Sequence, residues 1–242
     1  MDTRKLLAEA VGTFILVGVG SMSILAATIS QVPVLLIAPL GFGLGLLVAI
    51  AVAGHASGGH FNPAVTLGAF LDRRIEPGEA IGYVVAQLVG AVAASGLILG
   101  AVSQEAVGAT RTVPGGTDIL AFIAEVLLTA VFLAVILTTT KRNGSQAGFI
   151  IPLTLVVIHF AGIPFSGASV NPARSLAPAL VGADLSSIWI YLTAPFLGAI
   201  IGWIVYRALD GEPPTDLVAS EDDTMDDESA DAVADAAEEI AS

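Results

Sequence analysis

No cysteine occurs in the chain, which excludes a disulfide, a thiolate metal site and a cysteine nucleophile. It also predicts indifference to thiol-reactive mercurials. Charge is scarce too: Lys, Arg, Asp and Glu make up 13% of 242 residues, where a soluble domain needs roughly a quarter to cover its surface. No serine–histidine, metal or phosphate-binding constellation is present, so an enzyme is disfavoured, no cofactor is expected and nucleic acid is not an expected partner. What fills the space is apolar. Hydrophobic residues account for 55% of the chain, in runs matching the ~20 residues that cross a ~30 Å hydrocarbon layer. A short signal pattern with a small-residue cleavage site is missing, so the first apolar run is expected to stay as a spanning helix.

The net charge of −13 belongs to one end. Residues 1–209 carry nine Lys/Arg and nine Asp/Glu, whereas residues 210–242 hold 13 acids and no Lys or Arg. That tail has no aromatic residue and too little apolar surface to order itself, so it is expected to be a disordered, solvated appendage. Its composition names no partner. Residues 1–209 are expected to form the membrane domain.

Six full-length apolar segments can be read, roughly 4–28, 32–53, 78–101, 117–140, 146–163 and 186–208. Pro33 and Pro152 fall near the starts of their spans, where a missing N–H costs little. If every segment crosses once, Arg4, Lys5, Arg73, Arg74, Lys141, Arg142 and Arg207 share one side, and only Arg111 lies in a loop on the other. Positive loops stay cytoplasmic. Both termini are therefore expected inside, with the chain in the cell membrane among lipids.

Two apolar stretches, Asn62–Leu71 and Asn171–Val181, are long enough for only half the bilayer. Each follows an irregular approach, Gly58-Gly59-His60-Phe61 and Gly167-Ala168-Ser169-Val170. The duplication runs wider. Ala8-Glu9 with Thr13 corresponds to Ala124-Glu125 with Thr129, and Tyr83 and Gly90 to Tyr191 and Gly198. Repeat one covers about 1–104 and repeat two about 117–208. Each holds three spans, so the copies must be inverted, and interrupted segments at matching places point to a midplane site. The fold class expected is all-α: six transmembrane helices, two re-entrant half-helices and an inverted internal repeat.

Asparagine followed by proline is a helix start, with Asn as cap and Pro in the first turn. Half-helices capped by Asn62 and Asn171, entering from opposite faces, would meet near mid-depth with their positive dipole ends opposed. The caps use the side-chain oxygens, leaving the NH2 donors to face a lumen. A water there accepts from both amides, which interrupts a proton wire, and the dipole ends repel cations. Extended backbone survives at that depth only against protein or water. The carbonyls of Gly58, Gly59, His60, Gly167, Ala168 and Ser169 are expected to line the lumen. Glu9 and Glu125 are acids inside spans, each costing roughly 2.5–3.5 kcal/mol on insertion scales. Their duplicate placement suggests that each accepts backbone N–H bonds from a strained pore loop.

SGGHFNPAVTLG and SGASVNPARSLAP, within a pattern running from Leu6 to Arg207, resemble the aquaporin or major intrinsic protein family. The resemblance implies an aquaporin-like fold, a pore in each subunit and a homotetramer. It implies that Asn62-Pro63-Ala64 and Asn171-Pro172-Ala173 are the pore motifs, and that Phe42, His159, Ala168 and Arg174 form the extracellular constriction. A Phe-His pair resembles water-selective members. Ser175 points the same way, since glycerol facilitators typically place Asp there. Tyr191-Leu192, where water channels often have Phe-Trp, departs from the pattern and leaves glycerol, ammonia or hydrogen peroxide open. His55 is expected to line the cytoplasmic vestibule and Gln87 to act as a hydrogen-bonding support. The expected function is passive water conduction that excludes protons and ions. The alternatives are a glycerol or small neutral solute facilitator and, from another class, a secondary transporter, which should show titratable residues at its midplane.

Overall fold

A computed structural model describes residues 2–210; the acidic tail from 211 onward lies outside the described residues. Six helices of 23 to 27 residues carry the apolar segments: Thr3–Ile29, Val34–Ser57, Pro77–Ala101, Asp118–Arg142, Gly144–Ser166 and Ile188–Asp210. They are called here the first to sixth spans. Their outward faces are Leu, Val, Ile and Phe left open to the surroundings, such as Leu7, Met22, Ile81, Leu127 and Phe149. That pattern buries well in lipid and poorly in water.

The fifth span differs from its expected extent. The helix begins at Gly144, two residues before the expected 146, where the N–H groups of Gln146 and Ala147 bond to the Asn143 carbonyl at 2.8 and 3.1 Å. Pro152 therefore sits inside the span, not near its start. Membrane helices tolerate such prolines because neighbouring helices and local adjustments take up the freed groups. The second span departs from regular α geometry. Residues Ile50–Gly54 form a π-helical turn, an insertion that re-aims the helix end.

Small residues bring the helices together. A methyl built on Gly90 of the third span would fall 2.1 Å from the Ala10 carbonyl oxygen of the first. Its repeat partner Gly198 on the sixth span would meet the Val126 oxygen of the fourth at 2.5 Å. Backbones this close are how helices pack without a hydrophobic driving force between them. The same contact made twice shows that the repeat extends to tertiary packing.

Two short helices, Pro63–Leu71 and Pro172–Val181, fill the space between the spans. At 1.5 Å per residue each is roughly 14 Å long, half a bilayer. Asn62 and Asn171 cap them in extended conformation, with Pro in the first turn. A further helix, Gln104–Ala109, lies in the connection between repeats. It has no counterpart in the duplicated pattern and was not expected.

Candidate functional site

The second and fifth spans both end on a left-handed glycine. Gly58 (φ 88°) and Gly167 (φ 79°) return their N–H groups to the Gly54 and Ile163 carbonyls at 2.9 and 3.1 Å. The chain beyond each is strained. Phe61 (φ 49°) and Val170 (φ 46°) are left-handed, a conformation costly for side chains of their bulk.

Two carboxylates hold these loops. Glu125 accepts from the N–H groups of Ser169 and Val170 and from the Ser166 hydroxyl, each at 2.7 Å. Glu9 does the same for His60 (3.0 Å), Phe61 (2.7 Å) and the Ser57 hydroxyl (2.6 Å). It takes a fourth bond, 2.7 Å, from Gln87 Nε2. Tyr83 and Tyr191 add a second tie, their hydroxyls donating to the Ser57 and Ser166 carbonyls at 2.8 and 2.7 Å. An acid that gathers three or four donors is compensated for its burial.

The half-helices meet end to end. The Asn62 side-chain oxygen accepts from Ala64 N at 2.8 Å, and that of Asn171 from Ala173 N and Arg174 N at 3.0 and 3.3 Å. The amides then cross between repeats: Asn62 Nδ2 donates to the Val170 carbonyl at 2.7 Å and Asn171 Nδ2 to the Phe61 carbonyl at 2.9 Å. This refines the expected picture. One N–H of each amide is spent on the opposite loop, so one, not two, is left to face the lumen.

A cavity of about 380 Å³ runs alongside. Arg74 and Thr140 border one end, joined by a 2.6 Å hydrogen bond. Gly58, Gly59, His60, Asn62, Ser169 and Asn171 border the middle, facing an apolar wall that includes Leu46, Phe132 and Leu155. Phe42, His159 and Arg174 border the other end. Among the described residues no backbone N–H bonds to the carbonyls of Gly58, Gly59 or His60. Gly167 and Ala168 stand apart from the expected set. Neither borders the cavity, and Ala168 is fully buried with its N–H on Ser166 Oγ. His55, expected in the vestibule, does not border the cavity either.

Of the four expected constriction residues, Phe42 contacts both His159 and Arg174. The Phe42 and His159 rings stack with centroids 4.6 Å apart and planes 17° off parallel. The Arg174 guanidinium carbon lies 4.5 Å from the Phe42 centroid, a cation–π contact. Arg174 Nη1 donates to Thr112 Oγ1 at 2.6 Å and to the Thr110 carbonyl at 3.2 Å. Arg111, between those threonines, pairs with Asp184 beyond the second half-helix. Thr112 Oγ1 continues to Ser175 Oγ (2.7 Å) and on to Ser169 Oγ (2.5 Å). Two fully buried polar atoms here have no protein partner, His159 Nε2 and Arg174 Nε. With Nδ1 bonded to the Leu155 carbonyl at 2.9 Å, the histidine presents Nε2 as an acceptor. The constriction thus offers the His159 acceptor and unpaired guanidinium donors of Arg174, that at Nε among them.

Sequence reasoning did not assign roles to Thr110 and Thr112, which lie in the unrepeated connection. It also passed over the hydroxyls of Ser57 and Ser166, although the duplicated Ser-Gly pair was visible.

Residues 1–206 match the major intrinsic protein description over nearly all of the membrane body. The chain belongs to the major intrinsic protein family. Members of the family are passive channels, so this protein is an integral membrane channel for water or small solutes and not an enzyme. It is 41% identical over 220 residues to the glycerol uptake facilitator protein-like 6 of Lactiplantibacillus plantarum, covering 86% of this chain and 99% of that one. It is 39% identical over 230 residues to the aquaporin Z of Rhodopseudomonas palustris, covering 88% and 96%. The solved aquaglyceroporin of Plasmodium falciparum superposes with a TM-score of 0.77 at 25% identity, over 84% of this chain and 95% of that one.

Proposed function

We propose that the channel conducts water along osmotic gradients and excludes protons and ions. The observation that carries this reading is the contact of Phe42, His159 and Arg174. A passage bordered by these three side chains is narrow enough to take water in single file. The free acceptor of His159 and unpaired donors of Arg174 suit a molecule that can both donate and accept. Arg174 repels cations, and the opposed half-helix ends add to that barrier. Water between Asn62 and Asn171 accepts from the remaining amide hydrogens, which breaks a proton wire. Glu9 and Glu125 support the two pore loops. The lumen carbonyls of Gly58, Gly59, His60 and Ser169 serve as acceptors on the path.

The positive loops support a plasma-membrane protein with both termini cytoplasmic, and the family resemblance supports a homotetramer. A second reading, a glycerol facilitator, is favoured by the 41% identity to a glycerol uptake facilitator-like protein. Stopped-flow light scattering on proteoliposomes decides between them. Fast shrinkage in sucrose without re-swelling in glycerol supports water conduction. Re-swelling in glycerol makes the facilitator reading correct, and no acceleration over empty liposomes overturns both.

A further inference from the structure

Behind the constriction, on the side away from the lumen, the first span presents a glycine to the Phe42 ring. A methyl built on Gly20 would fall 2.2 Å from Phe42 Cε1, 2.3 Å from Cδ1 and 2.6 Å from Cζ. The ring edge therefore rests on the backbone of the first span, in space that only glycine leaves open. The ring also contacts His159 and Arg174. Those two side chains have little freedom to yield. His159 is tied to the Leu155 carbonyl, and Arg174 to Thr112 and the Thr110 carbonyl.

We propose that Gly20 is a positioning residue that sets the aperture of the channel, although it does not border the lumen. By letting the Phe42 ring sink against the first span, it fixes how far the apolar wall stands from Arg174. Any side chain at this position drives the ring toward Arg174 and His159, so the aperture narrows from behind. This deepens the reading of Phe42, His159 and Arg174 as the constriction and rests on it. Gly18, two residues earlier on the same helix, supplies a contrast. A methyl there meets nothing nearer than Ala94 Cβ at 3.8 Å, ordinary contact.

The test compares the full chain with Gly20→Ala, Gly18→Ala, Phe42→Leu and the double variant Gly20→Ala/Phe42→Leu in proteoliposomes. The readout is flux per reconstituted channel, of water and of glycerol, using whichever the unmodified chain carries. Gly20→Ala is expected to lower that flux about tenfold, the scale of crowding a packed site. Gly18→Ala should leave it within about twofold. The double variant should return to the flux of Phe42→Leu alone, since the smaller side chain removes the ring that the new methyl displaces. A merely structural glycine would not be rescued in this way. If Gly20→Ala does not fold, recovery of folded protein in the double variant supports the same clash, and failure of both overturns the inference. Unchanged flux in Gly20→Ala, or low flux persisting in the double variant, also overturns it. An unmodified chain that passes glycerol but not water would sink the water reading and leave this inference testable on glycerol.

Discussion

In the first repeat Gly12 and Gly20 of the first span lie against the rings of Phe61 and Phe42. The equivalent positions of the fourth span hold Leu128 and Ile136, and the residues equivalent to the two rings are Val170 and Ile151, all within one hydrophobic cluster. Bulk has been moved from one partner to the other while the pair stays filled, as close packing requires. The polar surroundings diverge likewise. Glu9 shares Gln87 Nε2 with Thr66 Oγ1, and Thr66 also meets His60. In the second repeat the place of Gln87 is taken by Pro195, and the hydroxyls of Ser175 and Ser169 lead instead to Thr112 and Arg174. Arg174 itself stands where the first repeat has Val65. What stays symmetric is what holds strained backbone: Glu9 with Glu125, Ser57 with Ser166, Tyr83 with Tyr191. Among what breaks symmetry, Arg174 and Val65 border the lumen. The repeat duplicates the scaffold and leaves the pore free to become asymmetric.

The largest test of that division removes the two carboxylates. Glu9→Ala and Glu125→Ala each leave buried N–H groups unpaired and should cost about 3–5 kcal/mol in thermal unfolding of detergent-solubilised protein. Glu9→Ala should cost more, because it strands four donors against three. A reversed order would show that the halves are not supported alike. Next, the exchange of bulk can be forced. Val170→Phe should destabilise by about 1–3 kcal/mol through overpacking. Adding Leu128→Gly should reveal a favourable coupling of about 1–2 kcal/mol in a double-mutant cycle, and simple additivity would break the comparison of paired volumes.

A smaller effect concerns the asymmetric side. Thr112→Val leaves Arg174 Nη1 with the Thr110 carbonyl alone. Losing about 1 kcal/mol of positioning should change the ratio of glycerol to water flux about fivefold, read by the same light-scattering assay. Smallest of all, Tyr83→Phe and Tyr191→Phe should each cost about 1 kcal/mol of stability and match within about 0.5 kcal/mol. A clear inequality would mean that the two serine carbonyls are not held equivalently.

Much of this was legible before any coordinates. The six spans follow from apolar length, and the half-helices from length together with Asn-Pro. Duplication pointed to Glu9 and Glu125, because an acid repeated at a matching depth needs a reason. The rest was hidden for physical causes. Gly144 and Ser145 read as a loop and begin a helix, so Pro152 lies further inside its span than expected. The π-turn at Ile50–Gly54 has no compositional mark. Thr110 and Thr112 reach Arg174 from a connection with no counterpart to compare. Gly20 and Phe42 are separated along the chain, and nothing short of tertiary packing announces their contact. The crossed amides escaped notice too, since each bond joins residues 108 or 110 apart.

Those crossed bonds have a consequence for biogenesis. During synthesis the first half emerges with the Asn62 amide and the Phe61 carbonyl lacking their mates. At 5–20 residues per second, residue 170 follows residue 62 by roughly 5–20 s. Through that interval the early re-entrant hairpin is held from within the first half, by Glu9, Tyr83 and the Gln87–Thr66 bond among others. The lock closes once, when both halves are in the bilayer, and a nascent chain stalled before residue 170 cannot close it.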